Sequence, residues 1–182
     1  ETAVQPILTP MATSQSLSLT PEMQTILARW IAMKMITAEH NIIVEVVTEE
    51  PERSALMERE AIPDGMQIWL MRCGQEPWRS RYYRQAAHLE LESAQVEDAE
   101  RKNTQGVTFG FGDVLVTSLY TRVPDLDLSL DFADGYAIKI WPPSGVTVSW
   151  PPRHINAAAA DRVAGSFGDL MNSPKIKPGG RG

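Results

Sequence analysis

The sequence predicts an α+β domain in which N-terminal helices pack on a mostly antiparallel sheet of about five or six strands. A change of texture carries that expectation. Up to residue 61 the apolar side chains recur at helical spacing, and after the turn Pro63-Asp64-Gly65 they recur in short runs or at alternate positions. Turn signals at Gly110 to Gly112 and at Asp134-Gly135 then join neighbouring runs as hairpins.

Val4, Ile7, Leu8 and Met11 share one helical face, in a segment shortened or kinked by Pro6 and Pro10. Residues 12–19, rich in Ser, Thr and Gln, read as a loop. A long helix starts at Thr20-Pro21-Glu22, because a threonine side chain at the N-cap accepts a first-turn N–H and proline at the first helical position gives up no N–H that the helix needs. Ile26, Leu27 and Trp30 mark its core face. The apolar pattern then widens through Ile36, Ala38, Ile42, Ile43, Val44, Val46 and Val47, so the helix is expected to continue past Asn41 in preference to a strand. The next helix has Thr48 as its cap and Glu49, Glu50 and Pro51 in its first turn, and it runs to about Glu60.

Met66 to Cys73 is a compact apolar run suited to a central strand. Arg81 to Glu92 alternates Tyr83, Ala87, Leu89 and Leu91 against Tyr82, Arg84, His88 and Glu90. Val107 to Phe111 and Val114 to Val123 flank the glycine turn. Leu126, Leu128, Leu130 and Phe132 alternate with Asp127, Ser129 and Asp131 up to Asp134-Gly135, which reverses the chain into Tyr136 to Trp141. One domain is therefore expected over 1–153, helical over 1–61 and sheet over 66–150. Residues 154–182 are expected to form a short helix at Ala157 to Ala160 and a flexible tail, disordered over its last ten residues.

The 182 residues, 43% apolar and 22% charged, are ordinary for one globular domain with its own core. The longest apolar stretches are broken by Lys34 and by Glu39-His40, short of the roughly 20 residues a membrane-spanning helix needs. Cys73 is the only cysteine, which excludes an internal disulfide and points to a reducing cytoplasm. Glu1 is not a start methionine, and neither a basic stretch nor an apolar signal core follows it, so the chain reads as a fragment.

A net charge of −6 weighs against tight, indiscriminate nucleic-acid binding, yet the charge is segregated. Arg72, Arg79, Arg81 and Arg84 face only Glu76 in their stretch, whereas Glu90, Glu92, Glu97, Asp98 and Glu100 face only Arg101. Within the basic stretch, Trp78, Arg79, Arg81, Tyr82 and Arg84 combine guanidinium groups with aromatic faces, the mixture that holds phosphates while stacking on bases. Arg84 is favoured over Arg81 as the contact, since it shares a strand face with Tyr82. The competing readings are a soluble edge strand and a protein interface anchored by the same residue types. Lys34, in the densest apolar stretch, must snorkel, pair or meet a phosphate or interface group.

No catalytic or metal-binding set emerges. His40, His88 and His154 are dispersed, and Cys73 has no partner nearby in sequence. Asp125, Asp127, Asp131 and Asp134 fit the polar positions of a strand and its turn better than a cation site, and Gly110-Phe111-Gly112 lacks the third glycine and the helix of a phosphate loop. No cofactor is expected on this chain.

Several segments together resemble a family of bacterial and phage-borne hypothetical proteins related to HNH endonucleases. They are Glu1 to Pro10, Leu27-Ala28-Arg29-Trp30 to Lys34, Ile62-Pro63, Ile68-Trp69-Leu70, Ile140-Trp141-Pro142-Pro143 and Trp150-Pro151-Pro152. The resemblance runs to about residue 152. It implies that an N-terminal module with two Cys-x-x-Cys pairs and a Glu-His precedes Glu1, that zinc or another divalent metal belongs to that module, and that none of those ligands falls on this chain. What it implies here is a non-catalytic C-terminal domain that supports the nuclease module and positions nucleic acid, with a protein-interaction or regulatory domain as the alternative.

Overall fold

The computed structural model describes residues 3–41, 45–74, 78, 82–89, 101–123, 126, 128 and 130–171. In chain order it contains α1 (Gln5–Ala12), β1 (Leu17–Leu19), α2 (Pro21–Glu39), α3 (Glu50–Arg59), β2 (Met66–Cys73), β3 (Tyr82–Ala87) and β4 (Thr104–Phe111). These are followed by β5 (Val114–Thr121), β6 (Ala137–Trp141), β7 (Val148–Trp150), β8 (His154–Ile155) and α4 (Ala157–Met171). The main sheet runs β3-β4-β5-β2-β6, with β8 also on β2. Every pairing in it is antiparallel except that of β2 with β8. β1 and β7 make a separate antiparallel pair. The α+β class expected from the sequence is the class observed.

Strand alternation splits the core into two layers. Ile68 and Leu70 of β2 and Val114, Val116 and Tyr120 of β5 point to one side, where Ile7 and Met11 of α1, Leu27, Ile31 and Met35 of α2 and Leu56 of α3 cover them. Trp69, Met71 and Cys73 with Leu115 and Leu119 point to the other, beneath Ala160, Ala164 and Phe167 of α4. With both faces covered, β5 is buried along its whole length.

Local signals explain most boundaries. Thr20 Oγ1 accepts the Met23 N–H at 3.2 Å, and Pro21 opens α2. The β4–β5 hairpin turns at Gly112, whose φ of +53° favours glycine and where a Cβ would meet the Ala12 backbone carbonyl. At α3 the cap is Glu49, in a capping box with Glu52, and not Thr48. Thr48 is used elsewhere: its hydroxyl donates to Glu39 Oε1 at 2.6 Å.

Four expectations are corrected. First, α2 ends at Glu39, because the Glu39 carboxylate captures the N–H groups of Val47 and Thr48 and draws the chain back where a continuing helix would carry it away. Residues 42–44 lie outside the described residues. Second, Leu17 to Leu19, read as loop, is a strand because Val148 to Trp150 offers it a ladder from the far end of the chain.

Third, the described residues of 126–132 form no strand. Their alternation still sorts them, since Leu126, Leu128, Leu130 and Phe132 all pack on the α4 side, but β6 pairs with β2 and so leaves Asp134-Gly135 as a turn without a two-strand hairpin. Fourth, the stretch after residue 153 is structural. β8 extends the sheet and α4 runs 15 residues across it, so the core does not stop at residue 153. The last ten residues lie outside the described set, as does the expected continuation of the third strand beyond Leu89.

Of the expected core face of α2, Leu27 is fully buried, whereas Ile26 and Trp30 are partly buried. Trp30 meets Phe111 edge-on, with ring centroids 5.6 Å apart. Trp30→Ala is therefore expected to cost about 2 kcal/mol in urea denaturation, less than the roughly 3 to 5 kcal/mol of a fully enclosed tryptophan. A change below about 0.5 kcal/mol would show that the Phe111 contact contributes nothing. No helix among the described residues is long and apolar enough to cross a membrane.

Candidate functional site

The aromatic and arginine run divides into buried and exposed members. Trp78 is only 5% exposed, belongs to the core layer beneath α4, and donates its indole N–H to Asp161 Oδ1 at 2.8 Å. It offers no open face for a base, contrary to its expected role. The reason lies in α4, which is longer than expected and supplies Asp161 as the partner a buried indole requires.

Arg84 is likewise built into the fold. Its side chain is 5% exposed, Nε donates to Gln105 Oε1 at 2.8 Å, Nη1 pairs with Glu45 Oε2 at 3.2 Å, and Nη2 donates to the Glu45 carbonyl. Gln105 in turn donates to Glu39. The chain reversal after α2 thus brings Glu45 to β3, and the guanidinium expected to face a phosphate is occupied in this conformation by partners from the protein itself.

Among its described members, the run leaves at the surface Tyr82, 41% exposed, and Tyr83, 39% exposed, on a strand at the end of the sheet. Consecutive strand residues project to opposite faces, so the two rings flank the edge from both sides. Partial burial pushes the Tyr82 phenol above its ordinary value, partly offset by the Arg84 charge. Arg79 and Arg81 lie outside the described residues. Lys34 is exposed, with its ammonium 5.6 Å from the Trp30 ring centroid, which matches a snorkelling lysine on an aromatic face.

A second feature was not legible in the sequence. At one end of β2, a cavity of about 560 Å³ is lined by Ser14, Arg72, Asp113, His154, Asn156 and Ala157. Those residues come from the α1–β1 loop, β2, the β4–β5 turn, β8 and the start of α4, so no spacing rule connects them. Arg72 and His154 are register partners in the parallel β2–β8 pair, and Arg72 Nη2 lies 3.4 Å from His154 Nδ1. Ser14 donates its hydroxyl to Asp113 Oδ2 at 2.7 Å. The only sequence signal was Asn156 before the alanine run, and its Oδ1 does cap α4 by accepting the Ala159 N–H at 2.9 Å.

Cys73 also borders this cavity, but burial pushes its thiol up, which disfavours the thiolate a nucleophile needs. Among the described residues no three His, Cys, Asp or Glu side chains converge as a metal site. Asp131 and Asp134 join no such group, and Asp125 and Asp127 lie outside the described residues. No family model, curated protein or solved structure matches this chain.

Proposed function

We propose that this chain is a non-catalytic binding domain, the C-terminal part of an HNH-related nuclease-like protein, which supports the metal-bearing module and positions its nucleic acid. The observation that carries the binding role is the exposed Tyr82–Tyr83 pair on edge strand β3, directly after Arg79 and Arg81 in the sequence. Tyrosine faces stack on unpaired bases irrespective of sequence, and neighbouring arginines hold the backbone phosphates. Trp78 and Arg84 leave the expected contact set and become its supports. The motifs that carry the family resemblance are structural here: Ile68, Ile140 and Trp150 are core residues of the α1–α3 side and Trp69 of the α4 side.

A protein-interaction reading has an observation of its own. β3 ends the sheet, so its outer backbone edge is of the kind that accepts an added strand, with the tyrosines as anchors. Titrating labelled single- and double-stranded DNA and RNA at several salt concentrations separates the two. Nucleic-acid binding is expected to weaken linearly on a log-log plot of affinity against salt, and Tyr82→Ala with Tyr83→Ala to weaken it by about 1 to 3 kcal/mol per lost stack. Unchanged binding by the folded double variant would overturn the stacking surface, and a salt-insensitive association with a protein segment would favour the interaction reading.

A further inference from the structure

We infer that the cavity between β2, β8 and the start of α4 is a binding site for a phosphate group, held by Arg72, His154 and the free N–H groups of the first turn of α4. Three observations converge on an anion. Among the described residues the Arg72 guanidinium has no carboxylate partner, its Nε is buried without a hydrogen-bond partner, and its one polar contact is another basic side chain, His154. Most buried or half-buried guanidinium groups are paired, and one that is not is costly unless an anion completes it. The hydrogen bond from Arg72 Nη2 to His154 Nδ1 at 3.4 Å occupies one of the guanidinium's donors and supplies no negative charge to balance it.

The second observation is the helix. α4 is 15 residues long and begins with four alanines, with no acidic side chain in its first turn to offset the positive end of its dipole. Asn156 occupies the Ala159 N–H and the Asn156 carbonyl the Ala160 N–H, so the N–H groups of Ala157 and the next alanine have no intrahelical acceptor. Ala157 lines the cavity. Backbone N–H groups at a helix start together with a guanidinium fork are the chemistry that recognises phosphate oxygens.

The third is size. About 560 Å³ exceeds what a lone phosphate fills and suits a phosphate carrying a further moiety, with Asp113 on the same wall as an acceptor for a hydroxyl or amino group. Such a phosphate comes either from a free phosphate ester or from a nucleic-acid backbone. The site lies on β2, three strands along the sheet from β3, and its assignment does not rest on the tyrosine edge.

Inorganic phosphate, a nucleoside monophosphate and a short oligonucleotide, each titrated into the chain by calorimetry and followed by amide shifts, form the test. Saturable binding of the monophosphate, with shifts at Ala157 and His154, is expected. Arg72→Met should weaken it about tenfold or more, and Arg72→Lys, which keeps the charge and loses the fork, by less. Asp113→Asn should tighten it, because it removes a like charge while leaving an acceptor for Ser14, an outcome that a merely structural role for these residues would not produce. Competition by the oligonucleotide would identify the backbone as the phosphate source, and binding of the monophosphate alone would identify a free ester. No saturable binding of any of the three probes, or binding unaltered by Arg72→Met in protein with an unchanged thermal transition, would overturn the assignment. Loss of oligonucleotide binding in the Tyr82/Tyr83 variant with monophosphate binding intact would separate this site from the β3 surface.

Discussion

Replacing Glu39 by alanine is expected to lower the unfolding free energy by about 3 to 5 kcal/mol, a large share of what a domain of this size possesses. The side chain is fully buried and accepts from the Val47 N–H at 3.1 Å, the Thr48 N–H at 2.9 Å, the Thr48 hydroxyl at 2.6 Å and the Gln105 amide. Alanine would leave those donors buried without an acceptor, each costing about 1 to 3 kcal/mol where water cannot enter. Glu39→Gln keeps the volume but turns an amide donor toward other donors, and about 2 kcal/mol is expected. Urea denaturation of both variants measures this. Costs below about 1 kcal/mol in each would mean that residues 45–48 relax into solvent without Glu39. The consequence for function would follow from Gln105, which joins Glu39 to Arg84 and so to β3: a loosened β3 should show as faster amide exchange across Tyr82 to Ala87.

Phe167→Ala should cost about 3 to 5 kcal/mol, the range for emptying an aromatic side chain from a core. Phe167 is almost fully buried in the layer between α4 and the sheet, and it sits so close over β4 that a Cβ on Gly106 would lie 2.5 Å from its own Cβ. Gly106→Ala is consequently destabilising by itself, by roughly 1 to 3 kcal/mol, because the helix must lift to admit a methyl group. In the double variant the ring contacts of the new methyl, at 2.6 Å to Cγ and 2.9 Å to Cδ2, are gone while the 2.5 Å approach to the Cβ that alanine keeps remains, so the combined cost should fall below the sum of the two only by the ring's share. A strictly additive double variant, or a Phe167→Ala cost below 1 kcal/mol, would mean that α4 does not cover β4 in solution.

Much of the fold was legible because its causes are local. Thr20 and Pro21 start α2 through one accepted N–H and one harmlessly absent one. Gly112 turns the β4–β5 hairpin because its backbone angle suits glycine. Met66 to Cys73 reads as a central strand because both of its faces are covered, which leaves a nearly continuous apolar run. The candidate surface was legible only in part. Tyr82 and Tyr83 are exposed, whereas Trp78 and Arg84 stand in the same sequence window with the same residue chemistry and are buried.

The sequence by itself determined the class, the main strand periodicities and the start of α2, since each depends on the spacing of side chains along one element. Only the tertiary structure decided which polar groups are occupied. Glu45 reaches Arg84 across a chain reversal, Asp161 reaches Trp78 from a helix 83 residues away, and Arg72 meets His154 across 82. A guanidinium or an indole carries the same potential for binding wherever it stands. Whether it serves the fold or a ligand depends on which partner the packed chain brings within about 3 Å of it, and that distance is not encoded in spacing along the sequence.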